Sequence, residues 1–91
     1  MAKEKRTIRF KGNVQGVGFR YNTVRAADGY DVTGYVKNLP DGTVECVAEG
    51  EAKEIDAFVD EVTQRMGQHI RDTSQQTSEA TGRYDSFGIR Y

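Results

Sequence analysis

Tryptophan is missing from this 91-residue chain, and proline, cysteine and histidine occur once each, as Pro40, Cys46 and His69. Each scarcity excludes something. A single cysteine forms no internal disulfide, and a chain without disulfides fits a reducing, cytoplasmic setting. A lone histidine and a lone cysteine beside scattered carboxylates match no metal-ligand spacing, so neither a metal nor an organic cofactor is expected. No apolar run approaches the ~18 residues of a membrane span, and Met1 to Arg6 carries charge without the apolar segment of a secretory leader. Charge of one sign is also lacking. Thirteen Lys and Arg stand against fourteen Asp and Glu, a net charge of −1, and the pI of 5.8 argues against a general nucleic-acid binder. With 36% hydrophobic and 30% charged residues, the chain reads as one small globular domain over 5–91 behind a disordered polar tail at 1–4.

Glycine, by contrast, is concentrated where it matters. Gly12-Asn13-Val14-Gln15-Gly16-Val17-Gly18-Phe19-Arg20 follows a strand-like alternation of Ile8 and Phe10 with Arg9 and Lys11, and leads into a helix. Glycines permit positive φ and close ligand approach. Successive N–H groups in such a loop converge into an anion-binding nest, and the helix adds free N–H groups at the positive end of its dipole. Arg20 sits where its planar fork can grip two oxygens of one phosphoryl group. A lone Gly-x-Gly is a weak signal; the strand-loop-helix setting and the closing arginine make this one a phosphate cradle rather than a plain turn.

The rest of the chain reads as alternating elements. Tyr21, Val24 and Ala27 suggest the inward face of the first helix, and Gly29 its end. Gly34, Val36 and Asn38, then Val44, Cys46 and Ala48, form two alternating strands joined by Leu39-Pro40-Asp41-Gly42, a strong turn signal. Ile55, Phe58, Val59, Val62 and Met66 mark an amphipathic helix whose stripe is for packing. Ile70 to Thr77 is strand-tolerant but polar, which suits a sheet edge and a monomer. Phe87, Ile89 and Tyr91 alternate as a last short strand. The order suggests an α+β, ferredoxin-like βαββαβ sandwich, with one antiparallel sheet and two helices on one face. Asn38 ends its strand on the same face as Val36, and its amide, both donor and acceptor, suits holding a water for attack; the plainer reading is a residue that starts the turn. Cys46 reads as a buried, inert thiol and His69 as a solvated side chain.

Two long motifs, Gly12-x-Val14-Gln15-Gly16-Val17-Gly18-Phe19-Arg20 and Gly34-Tyr35-Val36-Lys37-Asn38-Leu39-Pro40-Asp41-Gly42-Thr43-Val44-Glu45, occur in the order and separation of one family. The chain resembles the acylphosphatases over residues 5 to 91, with Lys37 where arginine is common and a fourth strand more polar than usual. The resemblance implies hydrolysis of the carboxyl-phosphate bond of acyl phosphates by metal-independent, in-line attack of water. It implies that Gln15, Gly16, Val17, Gly18, Phe19 and Arg20 wrap the phosphoryl group, that Arg20 binds its oxygens, and that Asn38 orients the water. The expected partners are a small acyl phosphate and phosphate or another small anion in the loop, with no nucleic acid and no membrane. Two other readings are a phosphate or carbamoyl-phosphate binding module of the same fold without turnover, and an RNA-binding ferredoxin-like module, which the acidic pI disfavours. No acyl pocket of defined shape is legible beyond the cradle.

Overall fold

Alternation along the early strands decides the architecture: Ile8 and Phe10, then Val36, then Val44, Cys46 and Ala48 fall on one side, so the sheet buries that face and two helices cover it. A computed structural model describes residues 2–91. The elements are β1 (Lys3–Gly12), α1 (Phe19–Ala27), β2 (Thr33–Asn38), β3 (Val44–Glu51), α2 (Ala52–Met66), a short 3-10 turn (Gly67–His69), β4 (Ile70–Glu79) and β5 (Phe87–Arg90). The strand order across the sheet is β4-β1-β3-β2-β5.

The ferredoxin-like sandwich is therefore present, with one correction. β1, β3 and β4 pair antiparallel and β2 pairs antiparallel with β3, but β5 runs parallel to β2, Gly34 facing Phe87 and Val36 facing Ile89. The sheet is mixed rather than antiparallel throughout. A second correction concerns the tail. Lys3 and Glu4 belong to β1, opposite Glu51 and Gly50 of β3, and Glu4 also faces Glu79 of β4. Charge at the chain's start mimics a tail, yet the long β3 supplies backbone partners there. Met1 lies outside the described residues.

The helix-facing side of the sheet gives Ile8, Phe10, Val36, Val44, Cys46 and Ala48 to one buried cluster, and α2 gives Ile55, Phe58, Val59, Val62 and Met66, the stripe expected. The stripe of α1 differs. Phe19, Thr23, Ala26 and Ala27 are buried, Val24 is only partly so, and Tyr21 is 61% exposed. Burial of Thr23 is possible because its hydroxyl donates to the Phe19 carbonyl one turn back at 2.8 Å. The Phe10 and Phe19 rings meet at 5.0 Å, pinning the start of α1 over β1. β4 is exposed along nearly its whole length, as its polarity predicts for an edge. Among the described residues, no helix is long and apolar enough to cross a membrane.

Candidate active site

At the end of β1 the pairing register with β4 slips between Lys11 and Gly12, and the chain leaves the sheet into the glycine loop. Gly16 and Gly18 both take φ 77°, the left-handed conformation that disfavours side chains. Gly18 is the N-cap of α1, so no side-chain oxygen caps the helix, and no acidic residue stands in its first turn. The free N–H groups and the positive end of the helix dipole are thus left uncompensated, the arrangement in which a helix N-terminus receives an anion.

Arg20 projects from that first turn. Its Nη1 donates to the Arg90 carbonyl at 3.4 Å, and its guanidinium lies 4.8 Å from the centre of the Tyr91 ring. Among the described residues no carboxylate is within ion-pair distance of it, so its charge remains available to a ligand.

Asn38 closes β2 and is followed by a well-bonded turn. Leu39 N–H donates to the Thr43 carbonyl, Gly42 N–H donates to the Leu39 carbonyl, and Asp41 accepts from both the hydroxyl and the N–H of Thr43; the two Thr43 donors hold the Asp41 carboxyl below its ordinary value. The glycine loop is tied to this turn by one side chain. Gln15 Nε2 donates to the carbonyls of Leu39 at 2.8 Å and Thr43 at 2.9 Å. The side-chain amide of Gln15 is therefore a brace that sets the distance between loop and turn, a role the sequence does not reveal because both its partners are backbone atoms.

A surface cleft of about 250 Å³ gathers Gly18, Phe19, Arg20 and Asn38. Of the expected cradle, Gln15, Gly16 and Val17 are not among its lining: Gln15 braces the turn, Gly16 is exposed and Val17 packs against the core. Phe19 is buried, so only its backbone can serve a ligand. Tyr21, Ile89 and Tyr91 also line the cleft; strand parity places the last two there, but the pairing of β5 with β2 that makes this matter is not readable locally. Asn38 Oδ1 is buried and has no hydrogen-bond partner among the described residues. Leaving a buried acceptor unbonded costs roughly 1–3 kcal/mol. A hollow of about 310 Å³ lies elsewhere, lined by Thr7, Arg9, Ser74, Gln75 and Gln76; Arg9 Nε, like Asn38 Oδ1, is buried without a hydrogen-bond partner among the described residues. Burial pushes the Cys46 thiol up, as expected for an inert core residue. His69 is half-buried, 3.3 Å from Gln68 Nε2 through its own Nε2, and lies outside the cleft.

The family model Acylphosphatase matches residues 6–89. The chain belongs to the acylphosphatase family. It is 45% identical over 84 residues to an acylphosphatase from Paenarthrobacter aurescens, covering 91% of this chain and 89% of that one. Among solved structures it is similar to the acylphosphatase from Bacillus subtilis, with a TM-score of 0.85, 34% identity, and coverage of 97% of this chain and 99% of that chain. It is also similar to part of full-length HypF in a phosphate- and nucleotide-bound form, with a TM-score of 0.81 and 29% identity over 98% of this chain but 12% of that one. Acylphosphatases are hydrolases acting on acid anhydrides, and Gly18, Phe19 and Arg20 of the first motif meet Asn38 of the second in this cleft.

Proposed function

We propose that this chain hydrolyses acyl phosphates to a carboxylate and inorganic phosphate. The observation that carries the reading is that an uncapped helix N-terminus, Arg20 and Asn38 share one cleft. The backbone N–H groups where the loop enters α1, from Gly18 to Arg20, receive the phosphoryl oxygens, and the Arg20 guanidinium neutralises them. Asn38 orients the water. Its amide torsion is soft, so Oδ1, which lacks a partner, turns towards the cleft and accepts a proton-bearing O–H of that water.

The water oxygen attacks phosphorus in line with the departing oxygen. The phosphorus–oxygen bond to the acyl group breaks and its electron pair leaves on the carboxylate. The water's proton passes to a phosphoryl oxygen. A carboxylate is a good leaving group and needs little protonation, so positioning and charge stabilisation suffice without a strong general base or a metal. The protein works as a monomer, a reading supported by its polar outer strand β4, in the cytoplasm, supported by its single buried thiol.

The test is hydrolysis of benzoyl phosphate, followed by absorbance, with chelator present. Turnover that ignores the chelator and is crippled in both Arg20→Ala and Asn38→Ala is expected. The likeness to HypF favours one second reading, phosphate binding without turnover. A folded wild type that binds inorganic phosphate but leaves benzoyl phosphate intact establishes that reading and overturns the enzyme.

A further inference from the structure

The cleft is more than a phosphate cradle. Among the described residues, the large apolar side chains left exposed are Tyr21, at 61%, and Tyr91, at 91%. Both line this cleft, and Ile89 lies with them. Their gathering has a backbone cause. Tyr21 follows Arg20 on α1, and β5, running parallel beside β2, directs Ile89 to the helix side of the sheet while Arg90 goes to the other, where its guanidinium lies 4.1 Å from the Tyr35 ring. Each ring meets one guanidinium, Arg25 at 5.9 Å from the Tyr21 ring centre and Arg20 at 4.8 Å from that of Tyr91, and the ring surface still left in water is what a ligand's apolar part covers.

Arg20 is the one charged side chain in the cleft lining, and the phosphoryl group being transferred takes it. The volume, about 250 Å³, falls below the roughly 300–1,000 Å³ of drug-sized sites, which suits one small ring and not a nucleotide.

We propose that Tyr21, Ile89 and Tyr91 form an acyl-group subsite, selecting acyl phosphates whose acyl part is small and apolar, with a planar aromatic acyl preferred over a short one. This rests on the acyl phosphate reading of the same cleft. The phosphoryl group lies at the N-terminus of α1, and the acyl group lies outward from it against the tyrosines. The Tyr91 ring also backs the Arg20 guanidinium, so one face of that ring serves the cation and the other face or edge is left for the acyl group.

The experiment measures kcat/KM for benzoyl phosphate and acetyl phosphate in wild type, Tyr21→Ala, Tyr91→Ala, the double variant and the two Tyr→Phe variants. The benzoyl-to-acetyl ratio is expected to fall about 2- to 12-fold for each ring removed, the fold-change equivalent to an aromatic contact, mainly through KM, and to be kept by phenylalanine. Equal losses on both substrates, or an unchanged ratio in the folded double variant, overturn the subsite. If a folded wild type hydrolyses neither substrate, the enzyme reading fails alone, and binding of benzylphosphonate against methylphosphonate judges the subsite. A preference for the aromatic phosphonate that the double variant loses supports it; equal affinities overturn it.

Discussion

The two ends of the β2–β3 ladder handle a buried acceptor in opposite ways. At one end Asn38 faces Val44, and at the other Thr33 faces Glu49. Glu49 is 5% exposed, yet its carboxylate is fully served: Thr81 donates from its N–H at 3.0 Å and its hydroxyl at 2.7 Å, and Gly82 N–H donates at 2.9 Å. Burial alone would raise this carboxyl, but the Thr81 and Gly82 donors outweigh it and hold it below its ordinary value. Asn38 Oδ1, also buried, has nothing. The same hairpin thus has one end where a buried carboxylate is met by donors and one where a buried amide oxygen is met by none. The lesson is that burial of a polar group does not by itself reveal its purpose; the state of its hydrogen bonds does.

Arg20→Ala tests the functional end most severely. The variant is expected to lose about 10³–10⁵-fold in kcat/KM, the range seen when a cation on a transferring phosphoryl group is removed, with its melting temperature unchanged because Arg20 has no carboxylate partner to lose. Steady-state assay beside thermal melting checks both halves.

Gln15→Leu should strike both properties. It removes the two bonds from loop to turn, so turnover is expected to fall about 10- to 100-fold through misplacement, with about 1–2 kcal/mol of stability lost by urea unfolding. A variant that loses stability alone would show that the brace does not position the cleft.

Glu49→Gln belongs to the structural end. It should cost roughly 1–3 kcal/mol of stability and leave turnover as it was. The sign of its pH dependence follows from the lowered carboxyl. The unfolded state binds the proton more readily, so Glu49 stabilises fully above the ordinary glutamate value of 4.5. That contribution is lost as pH falls through the lower folded value. Wild type and variant should therefore converge in stability below pH 4.5, measured by urea titration across that window.

The smallest effect is expected midway along the ladder. Tyr35 donates its hydroxyl to Glu45 at 2.8 Å, and burial together with that bond pushes the phenol up to about 12. Tyr35→Phe should cost about 0.5–1.5 kcal/mol and no activity; a larger loss of activity than of stability would show that the two ends are not separate.

The functional end was far more legible than the structural one. The loop with Arg20, and Asn38 with its Pro40-Asp41-Gly42 turn, are two short runs of sequence, so local spacing carries each, and the α2 stripe is regular enough to read directly. Glu49 was hidden because strand parity assigns it to the solvent side, and what buries it is the patternless segment around Thr81 and Gly82. Tyr21 was misplaced inward because its spacing to Val24 and Ala27 imitates a helix face, while the true stripe relies on a hydroxyl bonding its own helix. The parallel pairing of β5 and the extension of β1 to Lys3 both depend on strands distant in sequence, which periodicity cannot supply.

The central claim is that Asn38 is held for chemistry and not for the fold. The most direct test is to measure kcat for benzoyl phosphate and the melting temperature of Asn38→Ala on the same preparation. A fall in kcat of about 10²–10³-fold, with a melting temperature equal to or above that of wild type, is the result predicted. Near-normal turnover, or a marked drop in melting temperature, would contradict it.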